Sequence, residues 1–99
     1  MLEDLIKTIR ERKSSNSENS YTKQLLSLGI EGCVKKLQEE VDELKEALIK
    51  NQSNATHEAA DTIYHLLVSL ESANIKFEDV VDELEKRKKQ SGLEEKKNR

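Results

Sequence analysis

The sequence has no proline and no tryptophan, one cysteine, three glycines and only three aromatic residues in 99 positions. Without proline nothing breaks a helix from within, and so few glycines do not supply a turn-rich β architecture. Three aromatics (Tyr21, Tyr64, Phe77) and few β-branched runs argue against a β-sandwich. One cysteine cannot close an internal disulfide, so Cys33 is expected to be a small core residue in a reducing compartment. No signal sequence opens the chain, and no apolar run nears the roughly 20 residues of a membrane span. A soluble, cytoplasmic protein without a membrane partner is therefore expected. A large excess of one charge is also missing: 17 basic and 20 acidic residues leave −3, which gives no broad cationic surface for nucleic acid. Nor is there a Gly-rich phosphate loop, a CxxC pair, an HExxH or a GxSxG. Any phosphate binding would fall to a cation, basic side chains and helix N-termini.

What remains is helix. Hydrophobic residues make up 34% and charged residues 37%, so one all-α domain over residues 1–99 is expected, with a thin core. A chain this short and polar often completes its core with a copy of itself, and a helix-bundle homodimer is the expected assembly. Leu2, Leu5, Ile6 and Ile9 fall at helical spacing in residues 2–13. After a polar break at Ser14–Asn19, Ser20 is a plausible N-cap for a short helix that carries Leu25, Leu26 and Leu28 and ends at Gly29. From Ile30 to about Asn51, the residues Ile30, Val34, Leu37, Val41, Leu44 and Leu48 span an arc of about 80°, a narrow apolar seam. The polar loop Asn51–Asn54 is short enough to make the flanking helices an antiparallel hairpin. The helix from about Ala55 to Ala73 carries Ala59, Ile63, Leu66, Leu67 and Leu70 on one face and Glu58, Asp61, His65 and Val68 opposite. A helix apolar on most of its surface is normally central, which predicts partial burial of Asp61 and His65. A last helix, Phe77 to Lys89, is expected to turn Val80, Val81 and Leu84 inward; the tail beyond Gln90 alone reads as a solvated end.

The chemistry lies in two acidic pairs. Glu40 with Glu43, and Glu58 with Asp61, are each spaced i, i+3, so both members of a pair share a helix face. Lys36, Glu40, Glu43 and Ala47 form a stripe along one edge of the apolar seam, where helices meet, and Glu39 lies further round. Two antiparallel helices can aim four carboxylates at one point. Such carboxylates repel unless a cation sits between them, and hard oxygen ligands suit Mg²⁺ or Mn²⁺. The expected metal set is thus Glu40, Glu43, Glu58 and Asp61, with Mg²⁺ activating water and a free carboxylate taking its proton. Lys36 stands one turn before Glu40, placed either to pair with it or to hold a phosphate. His65 reads as hydrogen-bonded packing, not as a base.

Together these segments resemble the phosphoribosyl-ATP pyrophosphohydrolases of histidine biosynthesis, all-α members of the MazG-like nucleotide pyrophosphohydrolase superfamily. The resemblance runs through Ser20-Tyr21-Thr22 with Leu25-Leu26 and Gly29, then Lys35-Lys36 with Glu39-Glu40 and Glu43. Its most specific stretch is EAADTIYHLLV, Glu58 to Val68; it continues in Asp79-Val80, Glu83-Leu84 and Arg87, and in the SGLEEK ending with Arg99, which suggests a complete chain. Gln38 stands where the family usually has glycine, and the loop before Ser20 lacks the usual proline. The resemblance implies hydrolysis of phosphoribosyl-ATP to phosphoribosyl-AMP and pyrophosphate, with Glu39, Glu40, Glu43, Glu58 and Asp61 as the catalytic acids. Lys36, Lys96 and Arg99 are expected to meet the substrate's phosphates. Many relatives are fused to the cyclohydrolase that acts next, and this chain has no room for it. A general nucleoside triphosphate pyrophosphohydrolase and a non-catalytic helical dimerisation module are the alternatives.

Overall fold

The computed structural model describes residues 2–14 and 20–88, which form five helices and no strand. Helix α1 (Leu2–Ser14) carries Glu3 and Asp4 in its first turn and Arg12 and Lys13 in its last, the charge order the helix dipole favours. Helix α2 (Tyr21–Ser27) begins as expected at Ser20, whose hydroxyl accepts from the Lys23 amide at 3.2 Å. Leu28 then caps both α2 and the next helix, α3 (Gly29–Ile49). Gly29 is the elbow between them: its φ of +76° lies in the left-handed region, where a side chain would be strained. Thus Gly29 opens α3 as well as closing the short helix. Asn51, at φ +51°, sits in the turn that leads to α4 (Ala55–Ser72), and α5 (Phe77–Arg87) follows. The tail, including Lys96 and Arg99, lies outside the described residues.

Helices α3 and α4 form the expected antiparallel hairpin, the most extensive contact between helices among the described residues. The core gathers at one end of it. Ile6 and Ile9 of α1, Leu25 of α2, Cys33 of α3, and Leu67 and Val68 of α4 are buried together, with Leu5, Leu26, Tyr64 and Phe77 packed around them. Cys33 is the core residue its isolation suggested, with its thiol 3.1 Å from the Leu25 carbonyl oxygen. Arg10 pins α1 across the end of the bundle, reaching Glu71 of α4 at 3.3 Å and Glu78 of α5 at 2.8 Å.

Packing sets the direction of three apolar rows, and on α5 it corrects the expectation. On α3 the residues buried against α4 are Cys33 and Ala47, whereas Ile30, Val34, Val41 and Leu48 of the seam are exposed, Leu48 by 62%. On α4 the inner residues are His65, Leu67, Val68 and Ser69, and Ile63 and Leu66 face outward. The cause is common to both helices: small and polar side chains let their backbones approach along the acidic stripe, which turns the branched residues about a quarter-turn or more aside. On α5 nothing is fully buried, and Leu84 is 55% exposed; at its start Phe77 packs against the core and Glu78 pairs with Arg10. In antiparallel helices the two displaced apolar rows fall on one side of the hairpin, so Val34, Val41, Ile63 and Leu66 are exposed on the same side. No helix among the described residues is long and apolar enough to cross a membrane.

Leu67, buried where α1 and α4 meet, is expected to hold the most concentrated part of the core. Leu67→Ala should cost about 2–5 kcal/mol, a large share of a small domain's stability, as read by a lowered urea midpoint with an unchanged slope.

Candidate active site

The acidic site occupies the half of the hairpin that the core leaves uncovered. Here α3 and α4 are tied by Thr62, whose hydroxyl lies 2.8 Å from the Glu58 carbonyl oxygen and 3.3 Å from that of Glu40. One hydroxyl thereby fixes the spacing between the helices at the two residues whose carboxylates matter most. Glu40, Glu43 and Glu58 each bring a carboxylate oxygen within 4.8 Å of the others, and His57, Glu58 and Asp61 form a second group of the same tightness. Glu58 is common to both. Asn54, one turn earlier, donates to Glu58 Oε1 at 3.2 Å and fixes that carboxylate in place.

Two oxygens stand out. Glu40 Oε2 and Glu58 Oε2 are enclosed and have no hydrogen-bond partner. A carboxylate oxygen removed from water without a partner is unfavourable, and here other carboxylates stand beside it. Burial, and then Glu43 and Asp61, push the Glu40 carboxyl above its ordinary value. Burial and then contact with Glu43 do the same for Glu58. A divalent cation fits this donor set: hard, anionic, convergent oxygens with unfilled lone pairs, whose mutual repulsion the cation would cancel.

The surrounding groups are partly those expected. Glu39 lies on the outer side and meets Lys36 at 3.6 Å. This corrects the expected Lys36–Glu40 alternative, because Glu40 turns inward, where its Oε1 is 3.7 Å from His65 Nε2. Asp61 is partly buried, as expected, and His65 is fully so; burial pushes the imidazole pKa down against an upward pull from Asp61. His57 is the residue that motif spacing did not single out: its Nε2 is 3.2 Å from Asp61 Oδ2. Its one signal was a position four residues before Asp61 on the same helix face. Gln38 donates to Asp42 at 3.1 Å on the exposed side of α3, away from the acidic cluster.

An all-α frame that sets enclosed carboxylates across an antiparallel hairpin offers a site for a divalent cation between two helices. Residues 2–88 match the family described as phosphoribosyl-ATP pyrophosphohydrolase, and the chain belongs to that family. It is 43% identical over 99 residues to a phosphoribosyl-ATP pyrophosphatase of Roseobacter denitrificans, covering 99% of this chain and 94% of that one. A Rhizobium etli protein of the same name is 44% identical, with 99% and 92% covered. The histidine biosynthesis bifunctional protein HisIE of Helicobacter hepaticus is 44% identical over 100% of this chain, which spans 43% of that protein.

The electrostatics predict a trade of stability for function. A carboxyl whose pKa is higher folded than unfolded binds protons more tightly in the native state. Cation-free stability should therefore fall as pH rises past the ordinary value of 4.5, levelling off above the folded pKa of Glu40. Glu40→Gln should flatten that fall and raise the cation-free Tm at neutral pH by several degrees, at about 4–8 °C per kcal/mol. Thermal scans of both proteins across pH, with chelator, check this.

Proposed function

We propose that this chain hydrolyses the α–β phosphoanhydride of phosphoribosyl-ATP, giving phosphoribosyl-AMP and pyrophosphate, as a Mg²⁺-dependent enzyme of histidine biosynthesis. The observation that carries the reading is the pair of enclosed, unpartnered oxygens on Glu40 and Glu58, in a chain of this family. Glu40, Glu43, Glu58 and Asp61 would hold the cation, with Mn²⁺ an acceptable substitute. Bound there, Mg²⁺ supplies charge neutralisation at phosphate oxygens and a lowered pKa for water.

The chain's own residues do the rest. The carboxylate cluster orients the attacking water, and one member takes up the proton that the water releases. The water oxygen forms a new bond to one of the two phosphorus atoms as the bridging P–O bond at that atom breaks, and the bridging oxygen departs with the other phosphorus, giving phosphoribosyl-AMP and pyrophosphate. Thr62 and Asn54 keep the Glu40 backbone and the Glu58 carboxylate from shifting between cycles. Glu39 remains at the rim of the catalytic set, and Lys36, by exchanging Glu39 for substrate, offers an ammonium to a phosphate. Lys96 and Arg99 are assigned the same role from the tail. We place the enzyme in the cytoplasm, with residues 1–99 acting as one domain.

The exposed apolar face supports a homodimer. Residues such as Val34, Val41, Ile63 and Leu66 remain open on one side of the hairpin, and a second copy would bury them.

Two experiments test these proposals. Asp61→Asn should lower turnover of phosphoribosyl-ATP by about 10²–10⁴-fold with the helical circular dichroism retained. Near-normal turnover, or equal rates on ATP and other nucleoside triphosphates in the wild type, would count against the assignment. Val41→Glu, placed in the apolar face, should convert a dimer to monomer by light scattering at micromolar concentration; a wild type that is already monomeric overturns the dimer.

A further inference from the structure

Carboxylates and a cation recognise phosphate, and every polyphosphate offers that to them. Nothing in the acidic cluster distinguishes a nucleotide from an inorganic chain of phosphates. A base needs a flat, apolar partner, and this chain has three Phe and Tyr rings to offer beside two imidazoles. Tyr64 and Phe77 are partly buried and packed against the core. Tyr21 is 55% exposed.

Exposure alone would mean little, but Tyr21 is held in place by its surroundings. Its ring stacks near-parallel on Tyr64, with centroids 6.4 Å apart and planes 17° from parallel. It also meets the edge of His65 at 6.2 Å, and His65 in turn meets Tyr64 edge-on at 5.3 Å. Tyr64 is anchored by its hydroxyl to that of Thr22, a buried residue in the first turn of α2. The Ser20 cap fixes that same turn. The orientation of Tyr21 is thus set from beneath while much of its surface stays in water.

This ring and the carboxylates share a neighbour. His65 is 6.2 Å from Tyr21 between ring centroids, and its Nε2 is 3.7 Å from Glu40 Oε1. Counted at 100° per residue from the direction that faces α3, Tyr64 and Asp61 lie to one side of α4, and Ile63 and Leu66 to the other. Tyr21, stacked on Tyr64, therefore opens on the same side as the acidic cluster and away from the apolar face assigned to the second copy.

We propose that Tyr21 is the stacking surface for the purine base of the substrate, and so a specificity residue of the site. The inference rests on the nucleotide-hydrolase reading above. A base tethered through ribose to phosphates on a cation at Glu40 and Glu58 lies toward Tyr21, which His65 links to Glu40, and the ring loses little rotational freedom because Tyr64 and His65 have already restricted it. Stacking accepts any base with a π-face, so this contact selects nucleotides over inorganic polyphosphate and leaves the choice among bases to polar groups.

Steady-state kinetics and binding separate this inference from the reading beneath it. Tyr21→Ala should raise KM for phosphoribosyl-ATP about tenfold or more, the size of one base–ring stack, while kcat stays within about twofold. Tyr21→Phe, which keeps the ring, should restore KM. A merely structural role would instead lower kcat and helical content together. Independently of turnover, Tyr21→Trp introduces the sole tryptophan. Its fluorescence should be quenched by AMP with Mg²⁺ and left unchanged by tripolyphosphate with Mg²⁺. If the wild type hydrolyses phosphoribosyl-ATP and Tyr21→Ala leaves KM unchanged, the stacking role is overturned and the activity stands. If the wild type shows no hydrolysis, the activity fails, and the AMP and tripolyphosphate titrations still decide the role of the ring.

Discussion

Repulsion between carboxylates on facing helices is the constraint around which this small protein is arranged. Glu40 and Glu58 each carry an enclosed oxygen that no donor side chain meets, and Glu43 and Asp61 add further negative charge. Left alone, two helices bearing such a set would splay. What opposes this is packing elsewhere: a core concentrated at the far end of the hairpin, a hydroxyl tie at Thr62, and a close approach at Ala47 next to the connecting loop. The hairpin is held at both ends and by one cross-tie near the strained middle. A functional site that lowers local stability is ordinary in enzymes, and the remaining structure has to compensate for it.

The division of labour follows from size. A chain of 99 residues that is 37% charged buries one modest cluster, and α1 and α2 spend their apolar residues covering one end of α3 and α4. The other half of the hairpin is left with a polar side that serves the chemistry and an apolar side that no residue described here covers. A single sequence stripe thus serves two needs, because the rotation that brings Glu40 and Glu58 together is the same rotation that turns Val34 and Val41 outward.

Much of this was legible in the sequence. Helix number, the Ser20 cap, the hairpin and the acidic spacing all arise from local periodicity and capping, which depend on residues a few positions apart. What periodicity does not carry is the direction of a face. The row Ile30 to Leu48 reads as an apolar seam without saying what covers it; here Cys33 and Ala47 are the buried residues of α3, small enough for close approach. Val81 and Leu84 read inward because branched residues are normally buried, yet α5 has too little of the bundle beside it to bury them. Lys36 pairing with Glu39 instead of Glu40 depended on the inward turn of Glu40 toward His65, a tertiary fact. His57 was missed because its one local signal, a position four residues before Asp61, is shared by many exposed histidines at helix starts that bind nothing. Tyr21 read only as part of a motif, since its value lies in rings contributed from forty residues away.

The elbow at Leu28 and Gly29 sets how far this architecture can vary in length. One residue caps two helices, and the next turns the chain through a conformation that glycine takes readily, so the joint has no slack. Inserting a residue there would rotate α3 by about 100° relative to α2, carrying the acidic row away from Tyr21 and Thr22 in a single step. The turn at residues 50–54 differs, because it lies at the solvent end of the hairpin, where added length loops outward and leaves both rows in phase. Lineages of this fold would therefore be expected to accumulate insertions and deletions at the second turn while the first keeps its length.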